Sequence, residues 1–151
     1  MRDTLKACLE DLESRIAPFM RAWERIVPFR DGINAHWGLL HKGQIMLRDD
    51  SAMNLSPDLF EEFVVPYNRR LLREFSGGAD HFCGRGDHYI ERLTSIEGLT
   101  GIAMSQPHLN DMEQIFRHTV DKGIPLLDFN RGAAEQALAR GRDLKGRVHC
   151  A

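Results

Sequence analysis

The chain has 151 residues, of which 42% are hydrophobic and 28% are charged, and its formal net charge at pH 7 is −2. This length and composition indicate one globular domain. The balanced charge offers no basic field for nucleic acid, and no apolar run approaches the roughly 20 residues of a membrane span. The first residues lack the apolar segment of a signal peptide, so we expect a cytoplasmic protein that binds neither nucleic acid nor membrane.

Apolar residues recur at spacings of three and four from Asp3 to about Val27, which predicts a long amphipathic helix. We therefore divide the chain into a leading helix, residues 1–30, and one following domain, residues 31–151. Cys8 lies in the apolar stripe of this helix and is expected to be a small core residue. Because the three cysteines are odd in number and widely spread, we expect reduced thiols rather than disulfides.

The residues that follow predict strands alternating with helices. The apolar run Ile45–Leu47 is typical of a strand covered on both faces. Ser56 and Pro57 carry the signals of a helix start, and this helix is expected to reach Phe75 with a kink at Pro66. Further strands are predicted at 79–83, 99–105, 124–130 and 146–150, with helices at 87–96, 110–122 and 132–141 between them.

Strands that alternate with helices in this way predict βαβ units, a parallel sheet and the α/β class. Polar residues collect directly after the predicted strands. In parallel α/β folds the carboxyl ends of the strands line the active site. The sequence therefore places its candidate functional residues at one edge of the sheet.

His81 and Cys83 are the most informative of these residues. On an extended strand they lie on one face, because side chains alternate, and zinc accepts both imidazole and thiolate ligands. Cys150 ends the last predicted strand and is the expected third ligand, whereas His149 would point the other way. Other candidate donors are Asp50, Asp87 and His88. The alternative is a buried neutral His81 hydrogen-bonded to a carboxylate, with Cys83 filling the core.

Acidic and basic residues near the strand ends are further candidates. Only one of Asp49 and Asp50 can face a pocket, where it would exchange protons, hold a cationic substrate group or bind metal; the alternative is a turn and cap pair. Asp128 is either a substrate contact or part of a solvated turn. Arg48 and Arg85 lie where they could hold substrate carboxylates, or they are surface residues. Arg131 has the same two interpretations.

The order of these residues resembles the uroporphyrinogen decarboxylase superfamily, which includes a branch of cobalamin- or coenzyme M-linked methyltransferases. The resemblance rests on "GQIMLRDDSAMNLSPDLFEEFVVPYNRRLL" and on the later "HFCG", and it covers about Trp37 to Cys150. The "H-x-C-G" motif is typical of the methyltransferase-like branch. The resemblance implies parallel βα units like the carboxyl-terminal half of a TIM (β/α)8 barrel.

The resemblance also implies chemistry. His81 and Cys83 match two zinc ligands of the methyltransferase branch, and Cys150 lies near the third. Asp49 matches an aspartate, and Asp50 a substrate-contacting serine, of the decarboxylases. We expect a zinc-dependent transfer of a methyl group between a corrinoid and a small thiol, with a corrinoid protein as a possible partner. The alternatives are uroporphyrinogen decarboxylation without metal and an inactive piece of a barrel that pairs with itself or with a missing half.

Overall fold

The computed structural model describes residues 1–28, 32–36 and 38–150. The strands are β1 (Ile33–His36), β2 (Leu39–Lys42), β3 (Ile45–Arg48), β4 (Gly78–Phe82), β5 (Leu99–Met104), β6 (Leu126–Phe129) and β7 (Val148–Cys150). The α-helices are α1 (Arg2–Glu24), α2 (Pro57–Phe63), α3 (Val65–Glu74), α4 (Ile90–Leu93), α5 (Met112–His118) and α6 (Arg131–Ala139). Short 3-10 helices cover Asp50–Asn54, Pro107–Leu109 and Val120–Lys122.

Strands β3 to β7 form one five-stranded parallel sheet whose spatial order is the order of the chain. Helices connect each strand to the next, so the predicted α/β class with βα units is confirmed. Right-handed crossovers between neighbouring strands in this order all pass over the same face of the sheet. β3 and β7 are the two edges of this sheet among the described residues.

The main core lies between the sheet and the connecting helices. Side chains from the helix-facing side of the strands pack there against the buried sides of α2 to α6. Phe60 of α2, which is fully buried, stacks on Tyr89 with ring centroids 4.4 Å apart. Phe82 of β4 meets the same tyrosine ring edge-on at 5.8 Å. This aromatic group fixes α2 over the strands that carry the polar residues considered below.

An antiparallel hairpin, which the sequence analysis did not predict, is formed by β1 and β2. It contacts β4, β5 and β6 on the face of the sheet opposite the helices. Leu39 packs there against Met46, Ala79, Ala103 and Leu127, which form a second, smaller core. The sheet therefore has a helix face and a hairpin face.

Helix α1 is present, as predicted, but part of its apolar stripe is solvent-exposed. Phe19 is 70% exposed and Trp23 is 54% exposed. Ala17 and Met20, from another side of the helix, pack against the core. Cys8 is exposed, which corrects the prediction that it is a core residue. The amphipathic pattern identifies the helix but does not determine which side is covered, because ion pairs can dock the polar side.

Those ion pairs join α1 to α2 and α3. Glu62 of α2 accepts from Arg2 at 3.0 Å and from Lys6 at 2.9 Å. Arg21 pairs with Glu74 and lies over the ring of Phe75, with its guanidinium carbon 4.5 Å from the centroid. Exposed ion pairs of this kind contribute little each, about 0–1 kcal/mol.

The predicted helix between Ser56 and Phe75 is interrupted. Ser56 caps α2, its hydroxyl accepting from the Leu59 N–H at 3.3 Å, as predicted. The helix breaks at Val64, and Pro66 lies in the first turn of α3 instead of inside one kinked helix. Proline lacks an N–H and is tolerated in a first turn. The predicted helix at 87–96 is also shorter, because only Ile90–Leu93 is α-helical.

No helix among the described ranges has both the length and the apolar character needed to cross a membrane.

We expect truncation of two helical phenylalanines to change the free energy of unfolding by very different amounts. Phe60→Ala should lower the free energy of unfolding by about 3–5 kcal/mol, because it leaves a cavity beside Tyr89. Phe19→Ala should change it by less than about 0.5 kcal/mol, because that side chain is largely in water. Urea denaturation at several protein concentrations measures both. Equal losses, or a loss at Phe19 that depends on concentration, would mean that the exposed side of α1 is covered in solution.

Candidate metal centre

The pairing of β3 with β4 brings the two most informative segments together. Arg48 lies opposite His81 in the parallel register. The next residue, Asp49, donates its backbone N–H to the carbonyl of His81 at 2.8 Å. The chain then turns into a 3-10 helix that begins at Asp50. This backbone hydrogen bond sets Asp50 beside the end of β4.

Three different ligand types converge there. The Nε2 atom of His81 lies 3.3 Å from Oδ1 of Asp50 and 3.4 Å from Sγ of Cys83. The three donor atoms lie within 4.8 Å of one another, and they form the one such group of three found among the described residues. A carboxylate, an imidazole and a thiol around one point form a donor set that zinc accepts.

The separations fit a shared ion. With zinc–nitrogen and zinc–oxygen bonds of about 2.1 Å, a zinc–sulfur bond of about 2.3 Å and tetrahedral angles, N···O and N···S separations are about 3.4 and 3.6 Å. The separations around His81 Nε2, 3.3 Å to Asp50 and 3.4 Å to Cys83, agree to within about 0.2 Å. Three protein ligands leave a fourth position open, which is the arrangement of catalytic zinc sites.

Local sequence explains why Cys83 is held in this position. Gly84, directly after it, has φ +74°, and a Cβ there would lie 2.5 Å from the sulfur of Met53. Only glycine combines this backbone conformation with so close a neighbour. The Gly84 N–H donates to Oε1 of Gln106 at 2.6 Å. The thiol of Cys83 also lies 3.5 Å from the Ser105 hydroxyl, at the end of the neighbouring strand β5.

Asn110 holds the loop after Cys83 in place. Its Oδ1 accepts from the N–H groups of Gly86 at 2.7 Å and Asp87 at 3.0 Å, and its Nδ2 donates to the Gly84 carbonyl at 3.0 Å. The sequence predicts Asn110 as the N-cap of the following helix. In the structure the N-cap of α5 is Asp111, whose Oδ1 accepts from Glu113 and Gln114.

Asp87 also holds the loop after Cys83 in place. Its carboxylate accepts from the Asp111 N–H at 2.7 Å and from the Arg85 guanidinium at 2.7 Å. Burial acts to raise the pKa of Asp87, but these two donors outweigh it and hold the pKa below its ordinary value. Asp87 and Arg85 are therefore occupied with each other and with the loop backbone. His88, the other donor considered from the sequence, places its Nε2 2.9 Å from the Leu55 carbonyl.

The electrostatics suit a cation. Burial lowers the pKa of His81, although the Asp50 carboxylate acts in the opposite direction, so the imidazole is neutral at pH 7 and can be a ligand. The Ser105 hydroxyl acts to lower the pKa of Cys83, but burial and Asp50 outweigh it and hold the pKa above its ordinary value. A metal ion would therefore have to displace a proton from this thiol.

Asp49 points away from the donor group, toward the helix face. Its Oδ2 accepts from the Asn68 amide at 2.7 Å. Asp80, fully buried in β4, lies close enough to Asp49 for each carboxyl to act on the pKa of the other. Burial raises the pKa of both carboxyls, and that of Asp80 lies well above its ordinary value. Burial and the neighbouring Asp49 charge both favour the neutral form of Asp80.

Cys150, the expected third ligand, does not join this group. Its side chain packs partly buried against the core on the helix face. β7 is three strand spacings from β4, which is on the order of 14 Å along a sheet. His149, on the opposite side of β7, lines a cavity near the hairpin with Leu40 and Lys42. Asp50 takes the place that the sequence analysis gave to Cys150.

Of the other candidate residues from the sequence, some lie beside His81 and others lie on the surface. A cavity of about 440 Å³ lies beside His81, and its lining includes Asp128 and Arg131. Arg48 is exposed at the end of β3. Arg85 pairs with Asp87 and does not line this cavity. The supporting roles of Asn68, Asp80 and Asn110 were not predicted from the sequence; of these residues, only Asp80 gave a signal, as an acid inside a predicted strand.

Comparisons with protein-family models, curated proteins and solved structures give no match.

We expect Asp87→Asn to lower the free energy of unfolding by about 1–3 kcal/mol at pH 7, because two donors lose a charged acceptor. The native pKa of Asp87 is depressed, so its contribution is complete above the ordinary value of 3.8 and is lost as pH falls through the native value. Denaturation at pH 7, 5 and 3 should therefore show the wild-type advantage shrinking only at the lowest pH.

The control for this series is Asp58→Asn, which removes an exposed carboxylate that pairs with Arg92. It should change the free energy of unfolding by less than about 0.5 kcal/mol. An Asp87→Asn penalty that stays constant down to pH 3 would contradict a depressed pKa.

Proposed function

We propose that this protein binds one zinc ion through Asp50, His81 and Cys83 and transfers a methyl group between a corrinoid and a small thiol. The observation that carries the proposal is the convergence of carboxylate, imidazole and thiol on one point at the carboxyl ends of β3 and β4. The sequence resemblance to the methyltransferase-like branch, which uses the same His81 and Cys83 motif, also favours it.

The cavity beside His81 supports a small substrate. Its volume of about 440 Å³ is within the usual range for small-molecule pockets. His81 belongs both to the donor group and to the cavity lining, so a ligand in the cavity would lie beside the donor group. When bound, zinc lowers the pKa of a coordinated thiol, so that a thiolate is present near neutral pH.

The chain's own residues have three tasks in this reaction. His81 and Cys83 hold the ion on the rigid end of β4, and Asp50 adds a carboxylate whose second oxygen can accept the thiol proton. The thiolate sulfur would then take the methyl group, and the corrinoid would supply that group and keep the electron pair of its cobalt–carbon bond. The side chain of Asp50 is 52% exposed, so the accepted proton can pass to solvent.

We further infer that the parallel sheet corresponds to the carboxyl-terminal half of a (β/α)8 barrel. Five parallel strands in chain order, with their helices over one face, support this inference. In such barrels the active site lies at the carboxyl ends of the strands, where the donor group is found. The edges β3 and β7 would then pair with a second copy or with a complementary half.

We expect the purified protein to bind about one zinc per chain under reducing conditions. His81→Ala and Cys83→Ala should each weaken zinc binding at least 100-fold, a loss of about 2.7 kcal/mol or more. Asp50→Asn should weaken it less, because the amide keeps an oxygen donor. Competition against a chromogenic chelator measures each affinity.

Two thiol variants serve as controls. Cys150→Ser and Cys8→Ser should bind zinc like the wild type, because neither thiol belongs to the donor group. Loss of zinc binding in Cys150→Ser would show that Cys150 is a ligand. No zinc in the wild type under zinc-replete, reducing conditions would refute the proposal.

We expect the zinc-loaded protein to demethylate methylcobalamin when a small thiol is present. The absorbance change of the corrinoid measures this reaction. His81→Ala should abolish this activity, and Cys8→Ser should keep it. Turnover of a porphyrinogen by metal-free protein, without methyl transfer, would favour the decarboxylase alternative instead.

A further inference from the structure

Asp128 lies in strand β6 in a conformation that strands do not normally contain. Its φ is +50°, in the left-handed region, although it is not glycine. The other non-glycine residues with positive φ, Ser76 and Lys145, each precede a glycine in a turn. Asp128 is instead flanked by Leu127 and Phe129, both buried in the sheet. Such a conformation persists only where the surrounding structure enforces it.

The cause is an extra residue in β6. Leu126 pairs with Val148 and Phe129 pairs with Cys150, so three steps along β6 match two steps along β7. This is the geometry of a β-bulge, and bulges near active sites often redirect a side chain. Leu126 and Phe129 consequently both pack into the core on the helix face. The alternation of side chains is interrupted at Asp128 alone.

The bulge delivers the Asp128 carboxylate to the cavity beside the candidate metal centre. Asp128 and His81 line this cavity together, with Ser105 between their strands. The carboxylate is close enough to His81 to act on the pKa of the imidazole. Within the described part of the chain, Asp128 forms no salt bridge and no side-chain hydrogen bond, so its charge is not engaged in an ion pair there.

We propose that Asp128 is a specificity-determining residue that binds a protonated amine carried by the thiol substrate. This inference rests on the proposed function, since it assumes that a thiol occupies the open metal position. A carboxylate facing a small cavity favours a cation, and a hydrogen bond between ionised groups is stronger than one between neutral groups. The substrate class is thus an aminothiol, with its sulfur toward His81 and its ammonium toward Asp128.

Arg131 also lines the cavity, at the first residue of α6, and its guanidinium would favour an anionic thiol instead. The backbone distinguishes the two residues. Arg131 occupies an ordinary, exposed position in the first helical turn, whereas the strand is distorted at Asp128. The experiment must therefore measure whether the protein binds a cationic or an anionic thiol more tightly.

Three two-carbon thiols of different charge test the inference: cysteamine, 2-mercaptoethanol and mercaptoacetate. Each is titrated into protein loaded with Co²⁺ at the zinc site, and the sulfur-to-cobalt absorption band reports binding without any turnover. We expect cysteamine to bind more tightly than 2-mercaptoethanol. In Asp128→Asn this preference should fall about tenfold, which corresponds to about 1.4 kcal/mol. Comparing preferences between proteins removes the intrinsic difference between the two thiols.

Two further variants separate recognition from folding. Asp128→Gly relieves the backbone and should keep metal binding while losing the preference for cysteamine. Glu135→Gln removes an exposed charge on α6 outside the cavity lining and should leave the preference unchanged. If thiols bind with no charge preference, or with a preference for mercaptoacetate, the inference fails although the metal site stands. If no metal binds, it is the proposed function that fails.

Discussion

One backbone hydrogen bond between neighbouring parallel strands organises the candidate site. The Asp49 N–H donates to the His81 carbonyl and thereby extends the β3–β4 ladder by one residue. Because side chains alternate along this ladder, Asp49 turns to the helix face and Asp50 reaches the imidazole of His81. A shift of one residue in this register would exchange the two aspartates and remove the carboxylate from the donor group.

The surroundings of this ladder are polar where a core strand is usually apolar. Asp80 is fully buried in β4, and burial together with the neighbouring Asp49 carboxyl raises its pKa. Burying such a pair is unfavourable unless both carboxyls are satisfied. Asp80 directly precedes His81 in β4, so it supports the strand end that carries this proposed ligand. Asn110 acts similarly on the other side, by filling the hydrogen bonds of the loop after Cys83.

Much of the fold could be predicted from the sequence, and the reasons differ from element to element. Short buried strands such as β3 and β5 are continuous apolar runs, and Ser56–Pro57 is a strong helix start, so both were recognised. The β1–β2 hairpin has no such pattern, since its cover over the sheet depends mainly on Leu39. The exposed part of α1 could not be predicted, because Phe19 and Trp23 are apolar but lie mostly in water in the structure.

The site was predicted in part for similar reasons. His81 and Cys83 are two residues apart in a predicted strand. Because side chains alternate along a strand, this spacing alone predicts that they lie on one face. Cys150 was expected to join them from the strand order. The bulge at Asp128 pairs Phe129 with Cys150, and both side chains face the helices. A bulge depends on the pairing of two distant segments, so local pattern does not reveal it.

The most direct test of the account is X-ray absorption at the zinc edge of the metal-loaded protein. The account predicts one sulfur ligand at about 2.3 Å, with the remaining protein ligands nitrogen and oxygen at about 2.0–2.2 Å. It also predicts that Cys83→Ser removes the sulfur signal. Two sulfur ligands in protein prepared without any added thiol would contradict it. So would a sulfur signal that survives in Cys83→Ser.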